Sequence, residues 1–156
     1  MKLNIGCGDK PKKGYTNVDF RKYQGVDVCH DLEKTPLPFK SNSIDKVISE
    51  HVMEHIVNFI PLMEDIFRLL KPGGSVSITV PYYNSIGAFQ DPTHVRFFTE
   101  TTWRYFTKNE GIPDYHFKCN YIIKSISFAP NFPKIIRRLF GNLVRSMTVE
   151  LQKPKQ

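Results

Sequence analysis

A chain of 156 residues, 40% hydrophobic and 24% charged, suits one domain (residues 1–156) with a core of its own. Its formal charge of +7 and pI near 9.3 come from lysines and arginines too scattered for a nucleic-acid arm, so a solvated basic face is expected. No apolar run reaches membrane-spanning length and the opening residues show no signal-peptide pattern. Three cysteines without a C-x-x-C pair point to a reducing, cytoplasmic setting.

In chain order, Lys2–Ile5 reads as a buried strand ending at Gly6-Cys7-Gly8. Residues 16–20 form a second short strand containing Asp19, residues 26–29 a third, and residues 44–49 a β-branched fourth. Residues 57–70 carry Ile60, Met63, Ile66, Phe67 and Leu70 at helical spacing, and Lys71-Pro72-Gly73-Gly74 stops that helix. Residues 75–80 alternate as a fifth strand. Residues 82–98 read as a long loop, and residues 99–109 as a helix with Thr99 at its N-cap and Thr102 in its first turn. A strand over 121–128, a short basic-apolar helix over 134–140 and a last strand over 147–151 follow. This alternation predicts an α/β fold around a mostly parallel sheet, with ligands at the carboxyl ends of the strands. Residues 6–15, broken by Pro11 and Gly14, are too few for a crossover helix, so the first crossover is expected to be a loop.

The Gly6-x-Gly8 turn lets a ligand approach backbone amides, because no Cβ intrudes and positive φ is allowed. The dinucleotide fingerprint fails after it: Pro11 stands where a third glycine belongs, and no helix follows. The phosphate-loop pattern fails too, since Tyr15 follows Gly14. Asp19 would lie beside the turn, where a carboxylate accepts hydrogen bonds from both hydroxyls of a ribose. Asp31-Leu32 offers an acid for an adenine amino group and an apolar surface for the ring. Either acid alone can serve a turn or a helix cap; their recurrence at successive strand ends points to a nucleoside site.

LNIGCGDK, then NVDF, then Asp31-Leu32, then FKSNSIDKVISEHVMEHI and LLKPGGSVSITVP resembles the class I S-adenosylmethionine-dependent methyltransferases of the small type 11 kind, over residues 2–81. The resemblance implies a Rossmann-like methyltransferase fold with an antiparallel C-terminal strand, here without the usual helix before the first strand. It implies S-adenosylmethionine as cofactor, its methionyl part at Gly6, Cys7 and Gly8, with Asn4 where the family usually has an acid. Asp19 would hold the ribose, Asp31 and Leu32 would flank the adenine, and Ser49, Glu50 and His51 would pass beneath. Residues 1–81 would form the cofactor half and residues 82–156 the acceptor side, for a small-molecule acceptor such as a sugar or another hydroxyl or acid. Two alternatives stand beside this: a cofactor-binding or scaffold subunit without catalysis, and an RNA methyltransferase, although no aromatic-basic RNA module is visible.

His51-Val52-Met53-Glu54-His55 also spells H-x-x-E-H, an inverted zinc-hydrolase motif. That chemistry needs a long helix bearing both histidines, whereas this segment directly follows a buried strand. No metal is therefore expected, and His55 should cap or pack the helix start. Asp91-Pro92-Thr93-His94-Val95-Arg96 is similar to a stretch near the acceptor site of such methyltransferases. There His94 would take a proton from an acceptor hydroxyl, Asp91 would orient it, and Arg96 would bind an acidic acceptor group. Tyr82 and Tyr83 would line the acceptor pocket. Phe132, Ile135, Ile136, Leu139 and Phe140 recur at helical spacing among Lys134, Arg137 and Arg138. That stripe is expected to pack on the sheet rather than rest on anionic lipid.

Overall fold

The computed structural model describes residues 1–108 and 115–155. Among them a seven-stranded sheet runs in the order β3-β2-β1-β4-β5-β7-β6. The strands are β1 Lys2–Ile5, β2 Thr16–Asp19, β3 Val28–Cys29, β4 Ile44–Glu50, β5 Leu70–Pro81, β6 Ile122–Ala129 and β7 Ser146–Gln152. Strands β1 to β5 are parallel, and β7 lies antiparallel between β5 and β6. The mostly parallel Rossmann-like sheet with a reversed C-terminal strand is therefore present.

Side-chain alternation decides where the helices go. Leu3, Val47, Val76 and Leu151 lie in register across four strands, and all are fully buried. The neighbouring rows, Ser75, Ser77 and Thr79 on β5 against Gln152, Glu150 and Thr148 on β7, are only half-buried. On that face the Thr79 and Thr148 hydroxyls are joined by a 2.8 Å hydrogen bond. A parallel sheet covered on both faces reads as continuous apolar runs, whereas a sheet with one wet face alternates as this one does. The crossovers over residues 6–15, 20–27 and 30–43 are accordingly loops, the first as expected from its length.

The main helix, α1 (Phe59–Leu69), packs on the apolar face. Its stripe is rotated from the expected one: Phe59, Leu62, Met63, Ile66 and Leu69 are buried, while Ile60 turns outward. Each fully buried Leu, Met or Ile here contributes about 1.5–3 kcal/mol over exposure. Glu33, from the β3–β4 loop, accepts hydrogen bonds from the amides of Val57 and Asn58 at 2.6 and 2.8 Å. The Asn58 amide, at the N-cap, is a donor that the start of a helix leaves without a partner, and the Val57 amide lies just before it. Near the other end, Asp65 accepts from Arg68 Nε at 2.6 Å and from the Leu37 amide at 2.7 Å. One helix thus pins the β3–β4 loop twice. Lys71-Pro72-Gly73-Gly74 does not separate helix from strand; it bulges within β5, between the pairs Ile44–Leu70 and Lys46–Ser75.

Residues 82–98 contain a short helix, α2 (Ile86–Phe89). The expected helix over 99–109 is a 3-10 segment, Glu100–Phe106, and Asn109 lies outside the described residues. Thr99 starts it as expected, its amide donating to Thr102 Oγ1 at 3.1 Å. Trp103 is fully buried and stacks on Phe98 at a centroid distance of 5.2 Å.

The last helix, α3 (Lys134–Leu139), overturns one expectation. Ile135, Leu139 and Phe140 are 65, 68 and 59% exposed, so the stripe does not pack on the sheet. A helix this short spreads its apolar residues around most of its circumference, and the side of Phe132, Ile136 and Arg137 is half-buried. The Arg137 guanidinium lies 3.5 Å over the Phe128 ring. No helix among the described residues is long and apolar enough to cross a membrane.

Candidate cofactor cleft and acceptor side

The carboxyl end of β1 is the point where strand order reverses, with β2 on one side and β4 on the other. A cleft of about 610 Å³ opens there. It is lined by Gly6, Asp19, Asp31, Leu32 and His51 from the expected set, and also by Phe20, Arg21, Glu33, Val52, His55, Ile56 and Thr93.

The glycine turn is built from inside. Gly6 has φ +65, and a Cβ there would stand 2.4 Å from Val52 Cγ2, so only glycine passes under that side chain. The Gly8 amide donates to Asp19 Oδ2 at 2.8 Å, and the Arg21 amide to Asp19 Oδ1 at 3.0 Å. Asp19, buried at 5% exposure, is therefore the pin of the turn as well as a wall of the cleft. A carboxylate has about four acceptor positions, which leaves two for a ligand. The Cys7 amide is spent on the Val18 carbonyl at 3.1 Å. The amides of Cys7 and Gly8 thus serve the turn itself, and neither residue lines the cleft. Burial, then the nearby Asp19 charge, raises the pKa of the Cys7 thiol and keeps it neutral.

Three more expected residues serve the scaffold. Buried Asn4 donates to Asn17 Oδ1 at 2.9 Å, and Asn17 Oδ1 also accepts the Lys12 amide at 2.7 Å, which holds the 6–15 loop. Ser49 shares a row with Ile5 and Ile78, fully buried with its hydroxyl unpaired. Glu50, one position on, faces the opposite side and pairs with Lys12 Nζ at 2.6 Å. His51 leaves the strand at φ +55 and so reaches the cleft. Its Nδ1 lies 3.3 Å from Glu54 Oε1, and Glu54 is the main cause of a raised imidazole pKa.

On the adenine side of the expected site, Asp31 is accessible and accepts the Glu33 amide at 3.0 Å, while buried Leu32 forms the floor. Phe20 escaped the sequence reading. It is 61% exposed at the cleft rim, with the Arg21 guanidinium 4.9 Å over its ring. The available signal was an aromatic directly after Asp19 that the short strand leaves no room to bury.

The Asp91–Arg96 stretch folds back onto the turn after β4. The Val95 amide donates to the Glu54 carbonyl at 2.9 Å. Arg96 donates through Nε to the Ile56 carbonyl at 2.8 Å and through Nη2 to that of Val57. Arg96 therefore clamps the loop to the start of α1. Asp91 does not orient His94 either, since its carboxylate is 4.0 Å from Nε2 and instead accepts from the Thr93 hydroxyl at 2.6 Å. The Ala88 carbonyl, 3.0 Å from Nδ1, positions the His94 ring. His55, expected to cap or pack the helix start, lines the cleft with Nδ1 2.9 Å from Thr93 Oγ1. Tyr82 is 1% exposed and donates to Glu100 Oε2 at 3.0 Å, and burial pushes its phenol up to about 12. Tyr83 packs edge-on against it at 4.8 Å. Both belong to the packing at the end of β5 and do not line the cleft, because the backbone there is tied to Arg145 and Phe98.

Comparison with known proteins bears on the fold. Residues 9–78 match the family model of the methyltransferase domain. Phosphoethanolamine N-methyltransferase 2 of Caenorhabditis elegans is 33% identical over 108 residues, covering 67% of this chain and 24% of that protein. A probable S-adenosylmethionine-dependent methyltransferase of Mycolicibacterium smegmatis is 34% identical over 61 residues, 38% of this chain and 23% of its own length. The chain thus spans about a quarter of the length of these curated relatives. A SAM-dependent methyltransferase from Archaeoglobus fulgidus shares the fold at a TM-score of 0.70 and 18% identity, covering 97% of this chain and 85% of that one. By its strand order the chain has the Rossmann-like fold of the S-adenosylmethionine-dependent methyltransferases, and residues 9–78 match the model of their methyltransferase domain.

Proposed function

We propose that this chain, acting as one domain, transfers the methyl group of S-adenosylmethionine to a small-molecule acceptor. The observation that carries the reading is the cleft at the strand-order reversal, where Asp19, the Gly6 turn and the Asp31-Leu32 pair surround one 610 Å³ space. When bound, the cofactor supplies a sulfonium methyl: an acceptor lone pair forms the new bond to that carbon, the S–C pair returns to sulfur, and the acceptor's proton leaves to water. The two unused acceptor positions of Asp19 suit ribose hydroxyls, and Asp31, Leu32 and Phe20 suit the amino group and faces of an adenine. The protein's main work is alignment, which supplies about 7–11 kcal/mol of barrier reduction in favourable cases. His51, His55 and Thr93 line the wall leading to the Asp91–Arg96 loop, where the acceptor would enter. The C. elegans relative is named for a small-molecule acceptor, which supports that acceptor class over RNA. Three unpaired cysteines, Cys7, Cys29 and Cys119, fit a cytoplasmic setting.

Calorimetry with S-adenosylhomocysteine tests this. Asp19→Ala is expected to weaken binding by about 1.5–3 kcal/mol, as for hydrogen bonds to a charged group. Because Asp19 also pins the glycine turn, the accessible Asp31→Ala provides a second variant that leaves the turn intact. No binding by the wild type, or unchanged binding by both folded variants, overturns the reading.

A further inference from the structure

We propose that Glu54, His55 and His94 form a binding site for a divalent transition metal at the inner wall of the cleft, and that the ion takes a hydroxyl oxygen of the acceptor. One ligand atom from each of the three lies within 4.8 Å of the others. Glu54 is 1% exposed and its one charged neighbour among the described residues is His51, whose Nδ1 lies 3.3 Å from Oε1 without closing a well-formed hydrogen bond, and Oε2 has no hydrogen-bond partner. A buried carboxylate held by so little carries a desolvation cost that a cation at Oε2 would offset.

Both histidines are held in the tautomer that binds metal. The Ala88 carbonyl can only accept, so the proton of His94 sits on Nδ1 and Nε2 keeps its lone pair. The Thr93 hydroxyl gives its own proton to Asp91 Oδ1 at 2.6 Å, so Thr93 Oγ1 accepts from His55 Nδ1, and the Nε2 of His55 is also left with a lone pair. A carbonyl behind one imidazole and a carboxylate relay behind the other are the outer partners that metal-bound histidines usually have. The two rings stand edge to face at a centroid distance of 4.7 Å. Two imidazoles and one carboxylate suit zinc, cobalt, manganese or iron rather than calcium or magnesium. Metal–ligand bonds of about 2.0–2.2 Å require the three atoms to draw in to about 3.3 Å apart when the ion binds.

The feature that the H-x-x-E-H spacing lacked as a zinc motif is supplied from elsewhere. His94 arrives on a loop clamped to this turn by Val95 and Arg96. Three protein ligands leave coordination positions open, and an oxygen bound there loses its proton more easily. His55 and Thr93 face the cleft, so an acceptor hydroxyl held by the ion lies within the same space as the cofactor. This acceptor role rests on the proposed methyl transfer; the metal site does not.

The test uses the full chain, stripped with a chelator and titrated with Co²⁺ by visible absorption and with Zn²⁺ by calorimetry. One ion per chain is expected, with affinity lowered more than about tenfold by Glu54→Gln and by His94→Ala. Zn²⁺ should raise the Tm of the wild type but of neither variant, and both should still bind S-adenosylhomocysteine. No saturable uptake, or equal uptake by both variants, overturns the site and leaves Glu54 simply paired with His51. Acetohydroxamate, a bidentate oxygen probe, should shift the Co²⁺ spectrum; an unmoved spectrum overturns the acceptor role. Metal binding by a protein that fails to bind S-adenosylhomocysteine also overturns that role, while the metal site stands.

Discussion

Replacing Gly6 by alanine separates two penalties at the base of the cleft. At φ +65 a residue with a Cβ costs about 1–2 kcal/mol. The new Cβ would also stand 2.4 and 2.7 Å from the two Cγ atoms of Val52, and overpacking of this kind costs about 1–3 kcal/mol. Gly6→Ala should therefore lose about 2–5 kcal/mol. Val52→Ala alone should lose about 1–2 kcal/mol, since Val52 is only half-buried. In the double variant the clash is gone and the backbone penalty remains. The pair should then be more stable than the sum of the single changes by about 1–3 kcal/mol. Urea denaturation followed by the fluorescence of Trp103, the chain's single tryptophan, measures all four corners of the cycle. Additivity within about 0.5 kcal/mol would refute the placement of Val52 over the turn, and with it the inner wall of the cleft.

Glu33→Ala should destabilise the fold by about 1–2 kcal/mol, because it removes the acceptor of two amides at the start of α1; an unchanged Tm would show that the cap does nothing. Ser49→Ala should be neutral or stabilising by about 1 kcal/mol, because it removes a buried hydroxyl without a partner, and it should leave S-adenosylhomocysteine affinity unchanged. Weakened binding in that variant would restore Ser49 to the cofactor site. Lys71 and the N-terminal amine hold the Asp45 carboxyl at about 2, below its ordinary 3.8. A depressed carboxyl contributes stability that is present above its unfolded value and is lost as pH falls through the folded value. Asp45→Asn should thus flatten the stability profile between about pH 4 and pH 2 and leave the slope above pH 5 unchanged. An acid limb identical to that of the wild type would refute the pairing.

The strands were legible because a strand is a local pattern. β-branched alternation placed β4 to β7 within a residue or two, except where β5 extends back through its bulge to Leu70, and the order of the strand-end motifs placed the cleft. The alternation of β5 reflects a sheet with one wet face, which agrees with crossovers made of loops, although only the first of these loops was expected. The rotation of the α1 stripe was harder to read, since residues 57–70 are apolar at more positions than one face can hold.

By itself, the sequence determined the sheet, the glycine turn at Gly6 and the acids at Asp19 and Asp31, because strand period and turn chemistry act over a few residues. Only the tertiary structure decided what each polar group is spent on. Arg96 meets Ile56 across 40 positions of chain, and Asn58 meets Glu33 across 25. Asp19 proved to hold the turn it was expected to stand beside, and Tyr82 gave its hydroxyl to Glu100. Glu54, His55 and His94 came together because the Asp91–Arg96 loop lies on the turn after β4. A hydrogen bond or a metal ligand is fixed by which surfaces pack together, and that packing is set by the whole sheet rather than by neighbours in sequence.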